Sequence, residues 1–215
     1  CTSIHADVLR PNGIPDHVRT PVIMAVGPSF NHLSEVGVGD AVTNPERIRT
    51  LLDPTIPNHP NPRFHDFLND AKVMEAGYTW VQVDLRGTGA STGCLDWNGP
   101  GEQQDVVTAV EWAAAQPWSN GRVGLFGKSY DGVTGLIAAG NQPRGLAAVV
   151  AQEPAMEPYT YLYNNEVPYY NAIGTSLSYD EIAASPGRVL HDTPEYMKNS
   201  VYEVAHPHCL SDKFA

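Results

Sequence analysis

The chain has 215 residues, a formal net charge of −11, 42% apolar residues and only 17% charged ones. Such a composition supports one sizeable folded core and excludes the charge-rich, apolar-poor pattern of disorder. The acidic balance offers no basic patch for phosphates, so neither nucleic acid nor an anionic membrane surface is an expected partner. No apolar run approaches the ~20 residues of a spanning helix.

In chain order, Ile4 to Arg10 alternates apolar and polar residues and predicts a half-buried strand, closed by a turn at Pro11-Asn12-Gly13. The continuous apolar run Pro21 to Val26 predicts a strand buried on both faces. The stretch from Gly27 to Pro62 is rich in Pro, Gly and Asn and reads as an irregular excursion, with a helical turn near Arg47 to Leu52. Phe64, Phe67, Leu68, Val73 and Met74 recur at helical spacing, so Arg63 to Ala76 is expected to be a helix stopped by Gly77.

Tyr78 to Asp84 is rich in β-branched and aromatic residues and predicts a strand, followed by a Gly-rich loop from Arg86 to Gly101. Glu102 to Gln116 predicts a helix, with its acids placed where the helix dipole favours them and Val106, Val107, Val110, Ala113 and Ala114 on one stripe. A turn at 117–121, a strand at Val123 to Phe126, a helix at Tyr130 to Ala139 and a buried strand at Leu146 to Ala151 complete the pattern. Strands alternating with helices across short connections specify an α/β fold, a mostly parallel sheet covered by helices on both faces. After Pro154 the composition shifts to a crowd of tyrosines, Tyr159, Tyr161, Tyr163, Tyr169 and Tyr170. Residues 1–154 are therefore read as the core and 155–215 as the start of a helical cap.

The chemistry lies at Gly124-Leu125-Phe126-Gly127-Lys128-Ser129-Tyr130-Asp131-Gly132, where a strand meets a helix through a serine with almost no loop. This is a nucleophile-elbow arrangement. It exposes Ser129 Oγ above the sheet and aims the Tyr130 backbone N–H at the oxyanion that would form. The usual glycine two residues after the serine is replaced by Asp131, an acid suited to a helix first turn, and glycine comes one later at Gly132. Two rivals fail. A phosphate-binding P-loop needs a glycine where Arg122 stands, and a dinucleotide fingerprint at Gly87-Thr88-Gly89 meets Thr92 where its third glycine belongs. A helix-capping serine accounts for Ser129 but not for the glycines on either side.

Asp84 to Gly93, Glu102 to Gln116, Pro117 to Gly124 and Gly127 to Gly132 form an ordered series of motifs. The series resembles the Xaa-Pro dipeptidyl-peptidase and cocaine-esterase-like group of α/β-hydrolases, over roughly residues 4–154. The resemblance implies an α/β-hydrolase fold and an acyl-enzyme mechanism on an ester, amide or peptide substrate, without a cofactor or metal. It implies Ser129 as the nucleophile and Tyr130 as a backbone oxyanion donor. The group's second donor, a tyrosine hydroxyl following a proline, falls in Gly27-Pro28-Ser29-Phe30. Ser29 stands there instead, donating through a water or leaving a weaker oxyanion hole. Asp84 and Arg86 match a motif whose structural role is to lock the loop after the strand, a reading preferred here over substrate contact.

A serine nucleophile needs a histidine base oriented by an acid. His191, His206 and His208, with Asp180, Asp192 and Asp212, follow Ser129, yet none sits after a buried-strand pattern, and each reads as a surface residue. In the resembling group these partners lie beyond the cap, so the chain is expected to be a fragment completed by a C-terminal remainder. Cys1, Cys94 and Cys209 are too few and too widely spaced to support a zinc site or a disulfide framework, and Cys1 reads as a fragment boundary rather than a processed terminus. Glu153, Glu157 and Glu166 would suit a free α-amino group, though solvated acids are the plainer reading. The alternative to an enzyme is a non-catalytic hydrolase-like binding domain. The compartment is open between cytoplasm and secretion.

Overall fold

A computed structural model describes residues 2–28 and 66–175, with 194–195, 198–199 and 202. Five strands form one sheet in the order β1-β3-β2-β4-β5. They are β1 (Ala6–Leu9), β2 (Thr20–Gly27), β3 (Thr79–Asp84), β4 (Ser119–Lys128) and β5 (Leu146–Gln152). β1 runs antiparallel to β3, in register Ala6 to Val83, and the remaining pairs are parallel. Helix α1 (Pro100–Ala115) connects the Gly-rich loop to β4, and α2 (Tyr130–Asn141) connects β4 to β5.

The pleat sorts the apolar residues onto two faces. Val22, Met24 and Val26 of β2, Val81 and Val83 of β3, and Val123 and Leu125 of β4 meet Val106, Val110 and Ala113 of α1 and Ala138 of α2. This is the main core, and its strand residues are at most 3% exposed. Burying such side chains is worth roughly 1.5–3 kcal/mol each. On the opposite face Ala25, Trp80, Leu68 and Val73 make a smaller cluster, with Phe67 stacked on Phe126 at 4.0 Å between ring centroids.

Two secondary-structure expectations are corrected. The helix expected from Arg63 to Ala76 is, among the described residues, a single π-helical turn (Asp66–Asp70) followed by turns. Lys72 adopts a left-handed φ of 52°, which ends the helical path and lets Phe67, Leu68 and Val73 all reach the Trp80 cluster. Tertiary packing overrides the helical spacing. The turn expected at 117–121 is partly absorbed into β4, which begins at Ser119 and shifts register against β2 between Thr20 and Val22.

The Leu146–Ala151 strand is present, but it is not buried on both faces. β5 forms the edge of the described sheet, and Val150 is 50% exposed. Cys94 is disulfide-bonded, a bond the cysteine spacing gave no reason to expect. Cys1 and Cys209 lie outside the described residues, as do the excursion at 29–62, Ser29, and the six His and Asp residues considered as triad partners. No described helix is long and apolar enough to cross a membrane.

Beyond β5 come a five-residue helix α3 (Pro158–Leu162) and a short antiparallel pair, β6 (Tyr163–Asn164) and β7 (Val167–Pro168). Tyr159, Tyr161, Tyr163, Tyr169 and Tyr170 are all exposed here, and Tyr159 stacks on Tyr163 at 5.5 Å.

Candidate active site

Ser129 sits between the last residue of β4 and the first of α2 with φ 60° and ψ −121°. A positive φ at a residue with a side chain is strained, and strain of this kind persists only where the surroundings over-determine it. Three contacts do so here. Ser129 N–H donates to the Gln152 carbonyl at the end of β5 at 3.0 Å, and its own carbonyl accepts from the N–H groups of Gly132 and Val133 at 3.0 and 3.1 Å.

Two glycines make the turn possible. A Cβ on Gly127 would lie 2.5 Å from the Asp131 backbone, and one on Gly132 would lie 2.9 Å from the Gln152 carbonyl oxygen. The second contact accounts for a glycine three residues after the serine: at Gly132, α2 comes too close to the Gln152 carbonyl at the end of β5 to leave room for a side chain. Asp131, in the first turn of α2, keeps its Cβ because that atom fills the space Gly127 leaves empty. The strand–turn–helix context read from the sequence is thus the observed one.

Ser129 opens onto a cavity of about 150 Å³ whose lining includes Trp97, Tyr130, Val133, Glu153, Tyr161 and Leu162. Tyr130 opens α2, so its backbone N–H lies at the positive end of the helix dipole, beside Ser129. Its ring is 7% exposed and lies 6.4 Å from the Trp97 ring. The cavity's described walls include no histidine. The two described histidines, His5 and His17, precede β2, and His5 is held through Nδ1 by Asp84 Oδ2 at 3.0 Å.

The loop between β3 and α1 is held by buried polar groups. Asp84 also accepts from Ala90 N–H at 3.3 Å, and Ser91 Oγ donates to the Asp84 carbonyl at 2.8 Å. Gly89 leaves no room for a Cβ against the Asp84 carboxylate. Arg86 pairs with Asp105 of α1, and the Asp105 hydrogen bond holds the guanidinium pKa above its ordinary value. Both residues of the Asp84–Arg86 motif therefore contact the protein's own loop and helix.

Sequence reasoning missed Glu102. Its place at the start of the helix suggested only an acid favoured by the helix dipole, but it is fully buried. Its carboxylate turns back to accept from the N–H groups of Asp96, Trp97 and Asn98 at 2.8, 2.9 and 2.8 Å, and from the Tyr130 hydroxyl at 2.6 Å. Asp96 reciprocates, accepting from Gly101 and Glu102 N–H at 2.9 and 3.1 Å. Burial pushes the Glu102 carboxyl pKa above its ordinary value, against the pull of these hydrogen bonds. A signal existed: Pro100-Gly101-Glu102 places a glutamate at the third helical position, where capping-box residues reach back to preceding amides.

A mostly parallel sheet, helices packed on it and a strained serine between strand and helix define an α/β-hydrolase fold. The chain belongs to the X-Pro dipeptidyl-peptidase (S15) family, whose sequence pattern matches residues 1–213. A protein of Streptomyces avermitilis bearing the name Xaa-Pro dipeptidyl-peptidase is 28% identical over 185 residues, covering 79% of this chain and 26% of that protein. A cocaine esterase of a Rhodococcus species is 33% identical over 91 residues, covering 42% of this chain and 16% of the esterase. The crystal structure of a CocE/NonD family hydrolase from Staphylococcus aureus superposes with a TM-score of 0.62 at 25% identity, covering 85% of this chain and 31% of that one. The chain spans between 14% and 26% of the length of the curated relatives it matches.

Proposed function

We propose that this chain carries the nucleophile-bearing part of a serine hydrolase that cleaves an ester or amide acyl group through an acyl-enzyme, with Xaa-Pro peptides among its candidate substrates. The observation that carries the reading is Ser129 at φ 60° in a strand–turn–helix elbow, facing a cavity, with the helix N-terminus beside it. Membership of the X-Pro dipeptidyl-peptidase family supports it. In the reaction, Ser129 Oγ bonds to the substrate carbonyl carbon while its proton passes to a histidine base. The carbonyl oxygen becomes an oxyanion, which Tyr130 N–H stabilises. The leaving alcohol or amine departs with that proton, and water then releases the acyl group. Ser29 is the candidate second oxyanion donor.

Residues 155–215 are read as the start of a cap over the nucleophile. Tyr161 and Leu162, which line the Ser129 cavity, support this reading. Their apolar surfaces suit an apolar or prolyl acyl group. A fluorophosphonate probe on the full-length protein tests the proposal. Ser129 should be labelled, and Ser129→Ala should abolish labelling. An unlabelled Ser129 in folded protein would favour a non-catalytic binding domain.

A further inference from the structure

We propose that Glu102 is a positioning residue that ties the oxyanion donor Tyr130 and the cavity wall at Trp97 into one rigid unit, so that a single buried carboxylate governs both acyl-group selection and nucleophile alignment. The inference rests on the serine-hydrolase reading and extends it to a residue that never touches substrate.

Three successive backbone N–H groups, from Asp96, Trp97 and Asn98, converge on the Glu102 carboxylate. Trp97 and Asn98 reach this arrangement through left-handed φ values of 53° and 63°. Two consecutive left-handed residues with side chains are disfavoured on their own. A concave row of amides is an anion site, and here the anion is internal. The same carboxylate spends its remaining capacity on the Tyr130 hydroxyl, 28 residues away, at 2.6 Å. Oε1 takes Asp96 and Trp97, and Oε2 takes Asn98 and Tyr130, so each oxygen accepts two hydrogen bonds.

The two ends of this unit both face the cavity. Trp97, Asn98 and Tyr130 line it beside Ser129. Trp97 supplies a bulky wall, and Tyr130 supplies the backbone N–H that precedes the rest of α2. Releasing the carboxylate would free the strained loop to relax, moving the Trp97 wall, and would free the Tyr130 ring, tilting the first turn of α2. A group that only stabilised the fold would lower the melting temperature without altering which acyl groups are accepted.

The test uses the full-length protein, p-nitrophenyl esters of increasing acyl length and a fluorophosphonate probe, all well below the melting temperature. Tyr130→Phe keeps the ring and removes one bond; it should lower kcat about tenfold with little change in KM, the scale of one lost charge-assisted hydrogen bond. Glu102→Gln should lower kcat further and blur the preference among acyl lengths. The double variant should be no worse than Glu102→Gln alone, because both act through one unit. If Glu102→Gln does not fold, Tyr130→Phe decides: a lowered kcat in protein that stays folded at the assay temperature supports the proposal, and a wild-type kcat overturns it. Wild-type kcat and acyl preference in both variants, or losses that multiply in the double variant, would overturn it while a labelled wild-type Ser129 leaves the hydrolase reading standing. An unlabelled wild-type Ser129 would sink both.

Discussion

Arg86 grips Asp105 through both arms of its guanidinium, Nε to Oδ2 at 2.6 Å and Nη2 to Oδ1 at 2.8 Å. The pair clamps the loop after β3 onto α1, and Gly101 has no Cβ because the Arg86 guanidinium occupies that place. Asp105 is only 6% exposed, so removing the cation leaves a carboxylate with little access to water. Arg86→Met is expected to lower stability by about 2 kcal/mol, below the full cost of breaking a deeply buried pair because the Arg86 side chain is partly exposed. Urea unfolding of both proteins measures it, and Arg86→Lys should recover only part of the loss, since an ammonium cannot form the two-pronged contact.

The elbow glycine at the end of β4 should differ sharply from a glycine near the end of α2. A Cβ on Gly127 would lie 2.5 Å from the Asp131 backbone, whereas one on Gly140 would meet nothing within 4 Å. Gly127→Ala should destabilise by roughly 3 kcal/mol or prevent folding, because the strained turn has no room to give. Gly140→Ala should stabilise by about 0.5–1 kcal/mol through helix propensity. Thermal unfolding of the two variants decides the matter, and equal effects would contradict the packing described at the elbow.

Glu102 sets a sign for part of the pH dependence. Its folded pKa is raised by burial above the ordinary value of 4.5. Below that value folded and unfolded chains both hold the proton, and the associated stability is fully present. As pH rises, the unfolded chain releases its proton first, so stability falls until pH passes the raised folded value. Subtracting the Glu102→Gln stability profile from that of the unmodified protein should therefore reveal a decline with rising pH that begins near 4.5. A difference that grows with pH would mean the hydrogen bonds outweigh burial.

The three acids considered for amine recognition occupy different situations. Glu157 caps α3, accepting from Tyr159 and Thr160 N–H at 2.9 and 2.7 Å, and these bonds hold its pKa below the ordinary value. Glu166 has no place in the Ser129 cavity lining, whereas Glu153 does, with Lys128 Nζ 3.0 Å from its carboxylate. Glu153→Gln should raise KM for dipeptide amides with a free α-amino group about two- to fivefold, the worth of an exposed ion pair, and leave simple esters unaffected. Glu157→Gln should change neither. Equal effects of Glu153→Gln on both substrate types would rule out amine recognition at this residue.

The elbow was legible in the sequence because its requirements are local. Gly127, Ser129 and Gly132 lie within one turn, and the apolar runs of β2 and β3 and the stripe on α1 follow from the period of strand and helix. The resemblance to the Xaa-Pro dipeptidyl-peptidase group rested on those same short motifs. Tertiary structure decided what depends on distant partners. The helical spacing at 66–76 yields to a left-handed Lys72 because Trp80 and Phe126 dictate where Phe67 and Val73 must pack. Glu102 reads in the sequence as an acid at a helix start, favoured there by the dipole. Only the approach of Tyr130 and the backbone of residues 96–98 makes it the buried link between cavity wall and elbow, since a charge is buried where the fold supplies enough donors to replace its water.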